Sequence, residues 1–145
     1  MKTTLFVFII SLLGLNSPIW SNDAALEQAL AEANFGNPHV AIHKLEELIS
    51  HGRGDARVYQ SLGLLYQSSD QNEKAISALE KAVRLSPSQE ALYALALLYE
   101  ANMLHDERGG WERKAKRAWE QFLQYSSPSH PQRSVAERHL NRLRH

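Results

Sequence analysis

Residues 59–88, YQSLGLLYQSSDQNEKAISALEKAVRLSPS, set small residues at fixed points among large ones. Apolar residues recur at i, i+3, i+4 and i+7 on either side of the SSD at 68–70, the pattern of two amphipathic helices joined by a short turn. Gly63 falls in the middle of the first helix, and Ala75 and Ala82 lie on the apolar face of the second. A glycine in a helix interior costs about 1 kcal/mol relative to alanine. That cost is offset if the helices run antiparallel and close, with Gly63 and Ala75 letting one backbone approach the other. Tyr59, Leu62, Tyr66 and Leu79 then fill the remaining space.

The same spacing extends along the chain, so repetition is tested before any fold is assigned. Helical periodicity predicts helices over 23–34, 39–50, 56–68, 72–85, 89–103, 111–125 and 132–143, with no sustained strand-like alternation. Turn chemistry separates them: FGNP at 35–38, HGRGD at 51–55, SPS at 86–88, ERGG at 107–110 and SSPSHP at 126–131. Pro38 and Pro131 suit first-turn positions, and Asp70 and Asn72 are expected to cap the fourth helix. A step of 34 residues backwards pairs Ala41 with Ala75, Leu45 with Leu79 and Leu48 with Ala82; Gly36 takes the turn place of Asp70. The first helix fits less well, with Gln28 and Glu32 at large-residue positions; a one-residue shift turns Leu26, Ala29, Leu30 and Ala33 inward instead. Forward, Leu92, Leu95, Ala96 and Tyr99 align, followed after a 7-residue insertion in MLHDERGG by Ala115, Trp119 and Phe122.

Counted from Ala56, Tyr59, Leu62, Gly63, Tyr66, Ala75, Leu79, Ala82 and Pro87 fall at positions 4, 7, 8, 11, 20, 24, 27 and 32. This resembles the tetratricopeptide repeat, with Leu79 where that family usually carries phenylalanine. The resemblance implies an all-α fold, an α-solenoid of about three helix-turn-helix units over 22–55, 56–88 and 89–128. The first unit is an atypical terminal one, and a capping helix over 132–143 turns Val135, Ala136, Leu140 and Leu143 inward. It further implies a concave groove lined by the first helix of each unit. The groove positions fall on Arg57, Gln60, Leu64 and Gln67 in the second unit and on Glu90, Tyr93, Leu97 and Glu100 in the third. Such a mixed surface suits an extended peptide or a partner helix. The family's carboxylate-clamp positions hold Leu26, Leu30, Ser61, Glu90 and Ala94, so binding of a C-terminal carboxylate is not implied.

The N-terminus has a different character. Lys2 precedes the apolar run LFVFIISLLGL at 5–15, then Asn16, Ser17, Pro18 and Ser21. This is the pattern of a secretory signal peptide over 1–21, cut after Ser21, with an uncleaved anchor as the alternative. A periplasmic or secreted location is expected. The run is shorter than the ~20 residues that span a bilayer. With 16 basic and 16 acidic residues the whole chain is neutral, but residues 22–100 carry a formal −5 and residues 101–145 a formal +4.

Cysteine is absent, which excludes disulfides, thiolate metal sites and a cysteine nucleophile. No phosphate loop, serine elbow or spaced metal motif occurs. His39 and His43, four apart with Glu46 and Glu47 a turn on, could grip a divalent metal from one helix face, but a third ligand is not identified. His105, Asp106 and Glu107 in the insertion make no stronger case. No cofactor, metal or catalysis is expected. The basic run RKAKR at 113–117, with Arg133, Arg138, Arg142 and Arg144, either solvates helix faces or meets an anionic membrane or acidic protein. Trp111 either staples the insertion to the body or is an exposed anchor. Nucleic acid is a poor partner for an exported chain. The expected function is a non-catalytic protein–protein interaction adaptor in the bacterial envelope, binding a protein partner in the groove. The alternative is a peripheral membrane or envelope structural factor acting through the basic C-terminal half.

Overall fold

A computed structural model describes residues 22–104 and 110–144. The expected signal segment over 1–21 and most of the insertion, with His105, Asp106 and Glu107, lie outside the described residues. Among the described residues the protein is seven helices and no strand: α1 (Asn22–Asn34), α2 (Pro38–Ser50), α3 (Ala56–Ser68), α4 (Asn72–Leu85), α5 (Gln89–Met103), α6 (Trp111–Tyr125) and α7 (Arg133–Leu143). The chain is an all-α helical-repeat solenoid. The most extensive contacts join α1 to α2, α3 to α4 and α5 to α6, and each such hairpin packs on the next through α2–α3 and α4–α5. Helix α7 packs on α6 as α5 packs on α4, so it stands where the first helix of a fourth unit would stand.

The hairpins close on small residues. A Cβ added to Gly63 would lie 2.5 Å from Leu79 Cγ and 3.2 Å from the Leu79 backbone nitrogen. Real carbon atoms do not approach so closely, so α3 and α4 lie at a separation that only glycine permits at this point. Ala29 and Ala96 hold the corresponding place in α1 and α5, and Ala41, Ala75 and Ala115 face them from the second helices; all five alanines are fully buried. Leu45, Leu79 and Trp119 recur one turn further on, also fully buried, followed by Leu48, Ala82 and Phe122. The core is therefore a ladder in which each rung repeats a small pair and a large filler. In α1, Leu26 and Ala29 are buried while Gln28 faces solvent, and Glu32, where α3 carries Tyr66, pairs with Lys44 at 2.8 Å. Trp111 packs its ring 6.0 Å from that of Tyr99, tying the start of α6 to α5.

Helix ends follow local chemistry. The Asp55 carboxylate accepts from the backbone N–H of Arg57 (3.0 Å) and Val58 (2.9 Å), and the Ser88 hydroxyl accepts from Ala91 N–H (3.2 Å). Pro38 is in the first turn of α2. Three helices stop in the same left-handed turn, at Gly36, Gly52 and Asp70. At the third, Asp70 N–H bonds Gln67 O at 3.1 Å and Gln71 N–H bonds Tyr66 O at 2.9 Å. This corrects the expected capping role of Asp70 and Asn72. Asp70 terminates α3 with φ of 58°, Gln71 precedes α4 without a side-chain cap bond, and Asn72 is already helical. The turn requires a positive φ two residues after the preceding helix ends, and Asp70 is the residue that falls there.

Gly63→Ala is expected to lower stability by about 1–2 kcal/mol, overpacking against Leu79 outweighing the gain in helix propensity. Chemical denaturation of Gly63→Ala, Leu79→Ala and the double variant should show a double loss smaller than the sum. Asp70→Gly should raise stability by about 0.5–1 kcal/mol by relieving the left-handed conformation; an unchanged or lowered melting temperature would contradict this.

Candidate interaction surface

Two faces run along the array, one presented by the first helices α1, α3 and α5 and one by the second helices α2, α4 and α6. The first helices α1, α3 and α5 carry Asp23, Glu27, Glu32, Glu90 and Glu100 against a lone Arg57. Helix α7 has the opposite balance, with Arg133, Arg138 and Arg142 against Glu137.

The eight residues expected to line a groove divide into two groups. Arg57, Gln60 and Glu100 bind neighbouring elements. Arg57 pairs with Asp23 of α1 and approaches Asp55 at 3.8 Å. Gln60 accepts from the Ser88 hydroxyl at 2.7 Å, joining α3 to the start of α5. The Glu100 side chain is only 13% exposed. Its Oε1 accepts from the Trp119 indole at 2.6 Å, His139 Nδ1 lies 3.0 Å from both of its oxygens, and Arg142 bonds Oε2. Glu100 therefore holds α7 against α5 and α6 and does not face an open groove.

The remaining five present surface. Glu90 and Leu64 are exposed, and Gln67, Tyr93 and Leu97 are half-buried. Tyr93 gives one face to the core, its ring 5.3 Å from Trp119 and 5.5 Å from Phe122. What remains is a strip of Leu64, Leu97 and the outer edge of Tyr93 between Gln67 and Glu90.

Among the structural positions, Leu62, Gly63, Tyr66, Ala75, Leu79 and Ala82 are buried, Tyr59 is half-buried and Pro87 is exposed. Sequence reading missed what Tyr66 and its counterpart do at the second-helix face. Tyr66 donates its hydroxyl to Glu46, and Tyr99 donates to Glu80 Oε1 at 2.8 Å. Glu46 and Glu80 are 34 residues apart, the repeat step itself, which is the signal that could have shown the pairing. Burial, then the carboxylate, pushes the Tyr66 phenol up to about 12, and the same two causes raise Tyr99. Lys74 and Lys114 each lie 5.3 Å above these two rings.

His39 and His43 are exposed on α2, and no group of three or more histidine, aspartate or glutamate side chains is arranged to hold a metal among the described residues. No helix of the described residues is long and apolar enough to cross a membrane.

Comparison with known proteins adds to this geometry. The class is the helical-repeat solenoid already described. Its central unit, residues 56–89, matches the tetratricopeptide repeat family model. The chain is 33% identical over 84 residues to a PEX5-related protein of Mus musculus, which covers 57% of this chain and 15% of that protein. It is 34% identical over 76 residues to the Homo sapiens PEX5-related protein, covering 52% and 12% respectively. The chain thus spans less than a sixth of the length of these relatives. The crystal structure of MamA superposes with a TM-score of 0.55 at 22% identity, covering 85% of this chain and 76% of that one, a likeness of fold.

Glu100→Ala should cost about 2 kcal/mol, because the indole, His139 and Arg142 lose a charged acceptor. Hydrogen exchange should show faster exchange across 133–143 with α3 and α4 unchanged; uniform loss would contradict a local tie. The Tyr66 and Tyr99 phenols ionise more readily unfolded than folded, so their contribution to stability is whole below pH 10 and falls away as pH rises towards 12. Tyr66→Phe should flatten that fall in alkaline melting curves.

Proposed function

We propose that this chain is a non-catalytic adaptor of the bacterial envelope that binds a peptide or helix of a protein partner along its first-helix face. The observation that carries the reading is the strip of Leu64, Leu97 and Tyr93 between Gln67 and Glu90. It is apolar enough to bury a partner's side chains, polar at its edges, and not claimed by the array's own ties. The repeat match at 56–89 supports a protein partner, and the signal-peptide pattern around the apolar run LFVFIISLLGL supports export.

A photo-crosslinking residue at Leu64, with a control at His43 on α2, tests this in the native cell. A discrete adduct at Leu64 alone is expected, recovered with the periplasmic or secreted fraction; equal adducts at both positions, or none, would remove the groove reading. The second reading, a peripheral membrane factor, draws on Arg113 and Arg138, which have no ion-pair partner among the described residues. Co-flotation with anionic vesicles that Arg138→Glu abolishes would favour it.

A further inference from the structure

The second-helix face holds two clefts that repeat each other. One, of about 460 Å³, lies between α2 and α4 with Leu62 and Tyr66 of α3 as its floor. The other, of about 410 Å³, lies between α4 and α6 with Leu95 and Tyr99 of α5 as its floor. Each has one carboxylate and three cations on its walls. The first has Glu46 with Lys74, Lys81 and Arg84; the second has Glu80 with Arg84, Lys114 and Arg117. Arg84 borders both.

The carboxylates are committed inward. Glu46 takes the Tyr66 hydroxyl, and Glu80 takes that of Tyr99 while meeting Lys114 at 3.3 Å and Arg84 at 3.7 Å. The cations are left in excess. Lys74 and Lys81 rest on aromatic faces, 5.3 Å from the Tyr66 ring and 5.9 Å from the Tyr59 ring, with no carboxylate partner among the described residues. Arg117 likewise has none. Ring contact holds an ammonium at the surface without neutralising it. The array therefore presents two positively rimmed, apolar-floored slots one repeat apart.

We propose that these two clefts form a second interaction surface, distinct from the first-helix strip, and that its occupant is a protein segment in which carboxylate side chains alternate with apolar ones. Charge complementarity selects the carboxylates, which meet Lys74, Lys81 and Arg117 at the rims. The floors of Leu62 and Leu95 take the apolar side chains between them. A flat anionic membrane fits less well, because the charge borders recesses between helices and not their crests.

The test uses the purified protein and a fluorescently labelled peptide of alternating glutamate and leucine, read by anisotropy at low and at moderate salt. Binding that weakens as salt rises is expected. Lys81→Glu and Arg117→Glu, one in each cleft, should each weaken it by about tenfold or more. Arg138→Glu, the same charge change on α7 away from both clefts, should leave it unaltered. Thermal melting confirms that each variant is folded, and Lys74→Glu replaces Lys81→Glu if the latter is not. Absence of binding at low salt would overturn the proposal. So would equal weakening by Arg138→Glu, equal binding of a lysine–leucine peptide, or binding only to phosphatidylglycerol vesicles. Crosslinking at Leu64 should be indifferent to these variants, so the two surfaces stand or fall separately.

Discussion

The contact between Gly63 and Leu79 sets the geometry of the molecule. With no Cβ on Gly63, α3 and α4 come together until the Leu79 side chain fills the space a methyl group would occupy. The same arrangement recurs with Ala29 facing α2 and Ala96 facing α6, relaxed by one methyl in each case. Close hairpins allow short turns, and short turns keep the step between units near 34 residues. That step in turn brings Glu46 and Glu80, or Ala41 and Ala75, to equivalent places. The glycine is thus unfavourable as a helix residue and required as a packing residue, and the second effect prevails because the approach is to a fully buried leucine.

The first-helix face is held by polar contacts that do not come from the hydrophobic ladder. Arg57 reaches back to Asp23, Gln60 reaches forward to Ser88, and Glu100 collects Trp119, His139 and Arg142. Asn22 adds a bond to the Arg53 carbonyl at 2.9 Å, and Arg133 closes the far end on the Leu123 carbonyl at 2.9 Å. Burial fixes which helices pair within a unit, and these ties add to the α2–α3 and α4–α5 packing that joins one unit to the next.

The sequence was most legible where one residue type has one packing consequence. Gly63, Ala75, Leu79 and Ala82 could be placed from spacing alone, because only a close hairpin accounts for small and large residues in that order. The seven helices and the all-α fold followed from the same periodicity. Legibility failed where a side chain had a choice of partners. Glu100 sits at a groove position by count, yet a carboxylate beside an indole and two basic side chains is drawn into their hydrogen bonds, and nothing local to residue 100 reveals that α7 returns there. Asp70 reads equally as a cap for the following helix or as the end of the preceding one, and the backbone dihedral decided it. The tyrosine–glutamate pairs were hidden because each joins residues 19 or 20 apart, too far for a helix-face rule and too near for the repeat step.

The two faces also differ in relief. Both are bonded from unit to unit, the first through Arg57–Asp23 and Gln60–Ser88 and the second through Tyr66–Glu46 and Tyr99–Glu80. The second is also cut by recesses between α2 and α4 and between α4 and α6, and Lys114 bridges the latter to Glu80 at 3.3 Å. The single guanidinium of Arg84 stands on the rim of both recesses, so an occupant of one and an occupant of the other would draw on the same charge.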